Sequence, residues 1–170
     1  MRELAAVPIS AAAFAPFGHV VGSAGATGRS VNEGRGLRYD APAGLILDGP
    51  GTMPVVAVYA MAASRVPVLV RSFERHPLSS QLFVPTTAGR CLVVVTESDV
   101  AGGPDPARAR AFVATRGQAF NYAPGVWHAP IFAIGAPGEL VMVMGQAVEP
   151  DRDCEVLSLD EPILVHDATL

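Results

Sequence analysis

Beyond residue 44 the chain runs in short apolar or alternating stretches, at residues 45–47, 55–61, 66–73, 82–84, 91–96, 111–114, 119–122, 131–134, 140–144 and 154–157. Each has the length of a strand, and turn-forming Gly, Pro, Asp and Asn separate them at a spacing of about ten residues. No long segment carries the 3.6-residue period of an amphipathic helix. The pattern predicts a mostly β protein, an antiparallel sandwich or closed barrel with few and short helices. One such helix is expected over residues 11–14, because the Ser10 hydroxyl can accept from amides left free at a helix start and Pro16 and Gly18 then end the turn. Residues 101–110, AGGPDPARAR, form a polar excursion in which Pro104 and Pro106 oppose sheet pairing, so a surface loop is expected. The glycine-rich segment 22–28, GSAGATG, lacks the Lys-Ser/Thr ending of a phosphate loop and has no helix after it, so it reads as a flexible loop.

Composition narrows the picture. With 170 residues, 50% hydrophobic and 16% charged, the chain can bury one core, and a single domain over residues 1–170 is expected. Its 12 basic and 16 acidic side chains leave a net charge of −4, with no basic run to neutralise a row of phosphates, which argues against a nucleic-acid partner. Apolar stretches such as 55–63 stop short of the ~20 residues that cross a bilayer, so no membrane partner is expected. The N-terminal MRELAAVPIS lacks the apolar stretch of a secretory signal, and a cytoplasmic protein is expected. Cys91 and Cys154 have neither CxxC spacing nor a disulfide framework and read as reduced thiols.

Two of the four histidines sit in dense chemical surroundings: Glu74-Arg75-His76-Pro77 followed by Gln81, and Trp127-His128-Ala129-Pro130. If the strand at 68–73 continues, alternation puts Glu74 and His76 on one face, and Gln81 begins the next strand. Pro124-Gly125 makes a tight turn that returns His128 onto a strand. Imidazole and carboxylate suit a first-row divalent ion and a glutamine carbonyl is a weaker neutral donor, so Glu74, His76, Gln81 and His128 form a candidate metal set. The simpler reading is that both histidines are partly buried and bonded to backbone carbonyls.

The stretch from Gly117 to His128 is similar to the second motif of cupins, a Gly, a Pro-Gly turn and then a metal-binding His. The first cupin motif is altered here, with Glu74 in the place of its first His, His76 matching the second and Gln81 replacing the Glu. More specifically, Phe14-Ala15-Pro16-Phe17-Gly18, Val31-Asn32-Glu33-Gly34, ERHPLSSQLFVP from Glu74 to Pro85, GQAFNYAPGVWHAP from Gly117 to Pro130 and Asp153-Cys154-Glu155 together resemble the ureidoglycolate lyase (formerly hydrolase) family of allantoin breakdown. Ser79 and Ala119 stand where that family commonly has Gly, and Ala129 where many members carry a second His.

The resemblance implies a cupin-like barrel that forms a homodimer and cleaves a small-molecule substrate, ureidoglycolate, to glyoxylate and urea. It is compatible with a divalent metal ion, nickel, manganese or zinc, and calls for no organic cofactor. Such a cleavage needs a base for the substrate hydroxyl, an acid for the departing nitrogen and donors for the carboxylate. His76 or Glu74 can be the base, and either His76 or His128 can take or return a proton. Asn32 and Gln81 can bond the ureido group, Tyr122 can donate to an oxygen, and Arg38 can pair with the carboxylate if its loop folds over the mouth. Against these stand plainer roles: a turn for Asn32, a solvated charge for Arg38 and a strand aromatic for Tyr122. Two other functions fit the same residues, a metal-dependent cupin dioxygenase or isomerase acting on a small oxygenated acid, and a barrel that binds a small ligand without turning it over.

Overall fold

The segment Arg90–Thr96, RCLVVVT, has no polar alternation, which is the signature of a strand covered on both faces. In a computed structural model of the chain, which describes residues 1–149 and 152–167, this strand divides two cores. Cys91, Val93 and Val95 enter one core, while Leu92 and Val94 enter the other.

In chain order the strands are β1 (Arg2–Pro8), β2 (Gly18–Val21), β3 (Arg29–Val31), β4 (Gly36–Arg38), β5 (Thr52–Met61), β6 (Ala63–Ser64), β7 (Val68–Arg75) and β8 (Gln81–Pro85). They continue as β9 (Arg90–Thr96), β10 (Arg110–Thr115), β11 (Ala119–Tyr122), β12 (Trp127–His128), β13 (Phe132–Ile134), β14 (Gly138–Ala147) and β15 (Glu155–Asp167). Pairing runs β10-β1-β15-β7-β12-β9 and returns from β9 to β10, closing a ring of six strands. Inside it lie Val70, Phe73, Trp127, Ile163 and Val165. A second sheet, ordered β2-β11-β8-β14-β5, packs on the opposite face of β9 and β10. Phe83, Phe120, Leu140 and Met142 from this sheet meet Val93 and Phe112 to make the other core. The expected mostly β, cupin-like barrel is therefore present.

The short helix α1 (Ala11–Phe14) forms as its sequence predicts: Ser10 is extended at φ −139° and its hydroxyl accepts from the Ala13 amide at 3.3 Å. The helix seats Phe14 edge-on against Phe112, with centroids 5.7 Å apart. Segment 22–28 is a loop, and 101–109 is a loop with a 3₁₀ turn at Pro106–Arg108, but against expectation Pro104 forms an isolated antiparallel bridge with Ser98, and Arg110 already opens β10. No described helix is long and apolar enough to cross a membrane.

Two further expectations are corrected. The pairing is not wholly antiparallel, since β1 runs parallel to both β10 and β15, and β13 runs parallel to β6. Residues 45–47 are not a strand. The Ile46 amide donates to the Ser80 hydroxyl at 2.7 Å, and the Ser80 amide donates to the Ile46 carbonyl at 2.8 Å, so local bonds to one serine replace a ladder. This segment crosses over Gly145, where an added Cβ would lie 2.4 Å from the Leu47 carbonyl oxygen. A glycine is therefore required at that crossing.

Replacing Phe112, fully buried and touching the rings of Phe14 and Phe17, with alanine is expected to lower stability by about 3–5 kcal/mol. Ser10→Ala, which removes only the cap, should lower it by about 1 kcal/mol. Urea unfolding of the two variants beside the parent protein measures both effects.

Candidate active site

Strand alternation builds the site. Phe73 and Trp127 point into the ring core, so their neighbours Glu74 and His128 point out of it, towards the second sheet. Glu74 and His128 are direct partners across β7 and β12, and His128 Nε2 lies 3.4 Å from Glu74 Oε1. His76 follows the end of β7, and its ring centroid is 5.6 Å from that of His128. Gln81 opens β8, paired with Tyr122 on one side and Met144 on the other.

These side chains border two adjoining cavities between the sheets. A cavity of about 370 Å³ is lined by Glu74, His76, Gln81, Tyr59, Met144 and Asp153, among others. A smaller one of about 160 Å³ shares Tyr59, Glu74 and Gln81 and adds His128, Ala129 and Ile131. Tyr59, Glu74 and Gln81 form the shared wall.

Both imidazoles are locked in one orientation. Nδ1 of His76 donates to the Asp153 carbonyl at 2.8 Å, and Nδ1 of His128 donates to the Val126 carbonyl at 2.9 Å. A carbonyl only accepts, so Nδ1 carries a hydrogen in each ring, and a neutral ring then leaves Nε2 with its lone pair. Tyr122 stacks on His128 with centroids 4.2 Å apart and planes 14° from parallel, which holds that ring's tilt. The adjoining His128 imidazole holds the Glu74 carboxyl below the ordinary range, aided by His76 and opposed by burial. Burial, with His128 adding to it, lowers His76, and burial raises the Tyr122 phenol well above its usual value, with Glu74 contributing.

The donor set suits a divalent cation. One ligand atom from each of Glu74, His76 and His128 falls within 4.8 Å of the others. Nε2 of His128 and Oε1 of Gln81 are buried without a hydrogen-bond partner among the described residues. Two Nε2 lone pairs held from behind by carbonyls, with a carboxylate beside them, are the arrangement in which imidazoles bind first-row metals.

The other residues singled out in the sequence lie elsewhere. Tyr122 sits behind His128 rather than on a cavity wall, fully buried with its hydroxyl unpartnered. Asn32 and Arg38 belong to the β3–β4 hairpin, and neither lines the two cavities. Asn32 adopts a left-handed φ of 52° in the hairpin turn, and Arg38 pairs with Asp40 at 2.5 Å. Arg75 pairs with Glu155 at 2.7 Å, leaving Glu74 to the histidines. Cys91 and Cys154 are both free thiols, and burial pushes the Cys91 thiol up to about 11. Sequence reading assigned no role to Tyr59 or Asp153. The Asp153-Cys154-Glu155 motif was a signal, but Asp153 meets His76 across 77 residues of chain, a contact no local pattern encodes.

Fold and site together define a cupin-like barrel with a Glu-His-His cluster at the wall of its cavity. The sequence profile described as ureidoglycolate lyase matches residues 1–166. A ureidoglycolate lyase of Azotobacter vinelandii is 36% identical over 98% of this chain and 99% of its own length. One from Burkholderia mallei is 38% identical over 84% of this chain and 82% of its own. The chain belongs to the ureidoglycolate lyase family. Among solved structures, a dTDP sugar isomerase of Desulfovibrio desulfuricans overlaps 85% of this chain and 87% of its own at 18% identity and a TM-score of 0.48. Oxalate decarboxylase of Bacillus subtilis overlaps 64% of this chain and 24% of its own at 17% identity and a TM-score of 0.43.

The carbonyl contacts predict an uncommon tautomer. At mildly alkaline pH, ¹⁵N-resolved NMR of the imidazoles should show hydrogen on Nδ1 in both His76 and His128. Hydrogen on Nε2 in either ring would contradict the geometry.

Proposed function

We propose that this protein is a carbon–nitrogen lyase that cleaves ureidoglycolate into glyoxylate and urea, with Glu74, His76 and His128 as its catalytic centre. The observation that carries this reading is the convergence of the three side chains beside the two adjoining cavities, in a chain matched along nearly its whole length by ureidoglycolate lyases.

Ureidoglycolate bears a hydroxyl, a carboxylate and a ureido nitrogen on one carbon. Moving the hydroxyl proton to the ureido nitrogen lets the C–O bond become a carbonyl as the C–N bond breaks, and no water is consumed. Glu74 is placed to carry that proton: Oε1 faces His128, and the second oxygen is left for the substrate. Its lowered pKa makes it a weak acceptor but a ready donor, which suits a proton passed on while the C–N bond breaks. His76 and His128 direct their Nε2 atoms at the substrate side and fix its orientation. Met142, Met144 and Tyr59 on the cavity wall limit bulk water, which strengthens each polar contact inside.

Glu74, His76 and His128 would also hold a divalent ion, nickel, manganese or zinc. Such an ion supplies a Lewis acid for the substrate's oxygens. A homodimer in the cytoplasm completes the proposal.

Purified protein given ureidoglycolate should release glyoxylate and urea in equal amounts. His76→Ala and His128→Ala should each lower kcat/KM by about 10²-fold or more. Activity that falls with a chelator and returns with one divalent ion would establish the metal. Product formation no faster than the spontaneous reaction, with ions restored, would remove the lyase assignment.

A further inference from the structure

Two residues that line the larger cavity each carry a buried acceptor without a donor among the described residues. Asp153 lies between β14 and β15, is 3% exposed, and lines the same cavity as Gln81, which is 4% exposed. Each side chain is anchored at one end only. Asp153 Oδ1 accepts from the Leu78 amide at 2.8 Å, and Oδ2 is buried with no partner among the described residues. Gln81 Nε2 donates to the Met144 sulfur at 3.6 Å, which turns Oε1 the other way, where it too is buried and unpartnered.

Leaving a buried acceptor without a donor is unfavourable, so two of them on residues that line one cavity create a demand for a ligand rich in N–H groups. Among the described residues, no Lys or Arg lines this cavity to meet it. We infer that Asp153 Oδ2 and Gln81 Oε1 form the specificity subsite for the terminal amide of the ureido group, accepting from its N–H donors. The inference rests on the lyase reading for the identity of the substrate. It adds that the enzyme selects a ureido acid over an acyl-amino acid of the same shape, because a methyl group in place of the terminal NH₂ leaves both acceptors unpaired. The same fixation delivers the departing nitrogen to a constant place beside Glu74. Asp153 thus has two tasks, since its backbone carbonyl also holds His76.

The test uses unreactive probes. Ureidoacetate keeps the ureido group and the carboxylate but lacks the hydroxyl, and N-acetylglycine replaces the terminal NH₂ with methyl. Titration calorimetry on the full protein should give tighter binding of ureidoacetate by about 10-fold or more. In Asp153→Asn the backbone carbonyl and the acceptor for Leu78 survive while Oδ2 becomes a donor, and in Gln81→Met the acceptor is lost with the side chain's length preserved. Either variant should bring the two probes to within about 3-fold of each other by weakening ureidoacetate alone, and should raise KM for ureidoglycolate more than it lowers kcat. Equal binding of the two probes by the parent protein, or an undiminished preference in both variants, would overturn the inference. A preference that is present in the parent and lost in the variants, without any glyoxylate release, would keep the subsite and reject the lyase reaction.

Discussion

The pairing of Glu74 with His128 across β7 and β12 is the constraint from which the site follows. One residue earlier on each strand, Phe73 and Trp127 are fully buried in the ring core. Alternation then obliges Glu74 and His128 to face the other way, and their partnership in register brings carboxylate and imidazole together at 3.4 Å. A slip of one residue in either strand would send a charged group into the apolar ring. The hydrophobic cost of that error is what keeps the catalytic pair in place.

Rigidity reaches the cavity from several directions. The Val126 and Asp153 carbonyls fix the two imidazoles, Tyr122 stacks on one of them, and the Ser80–Ile46 bonds tie the 44–49 segment against the start of β8. Among the described residues, His128 Nε2, Gln81 Oε1 and Asp153 Oδ2, on side chains that line the two cavities, are buried without partners. Open bonds beside a cavity are what is expected where a ligand supplies the missing partners.

Local pattern disclosed much of the fold. The continuous run of β9, the alternating β14 and the Ser10 cap each rest on contacts between a residue and its near neighbours, or on the choice between buried and solvated faces. The strand β1 escaped notice because only Ala6 along it is buried, so it has no apolar rhythm. Its place between β10 and β15 depends on strands more than a hundred residues away. Residues 45–47 misled for the opposite reason: an apolar triplet was present, but its backbone groups found Ser80 instead of a neighbouring strand.

The amino-acid order by itself determined that this chain is built of short strands and that Glu74 and His76 share a face, because strand length and alternation are short-range properties, while the grouping of Glu74, His76, Gln81 and His128 came from their resemblance to the cupin motifs. Tertiary structure alone decided that Tyr122 supports His128 from behind, that the hairpin bearing Asn32 and Arg38 stands away from the cavities, and that Asp153 joins the site. Those outcomes depend on which distant strands and loops meet. Packing of the whole chain sets such meetings, and no segment read on its own contains them.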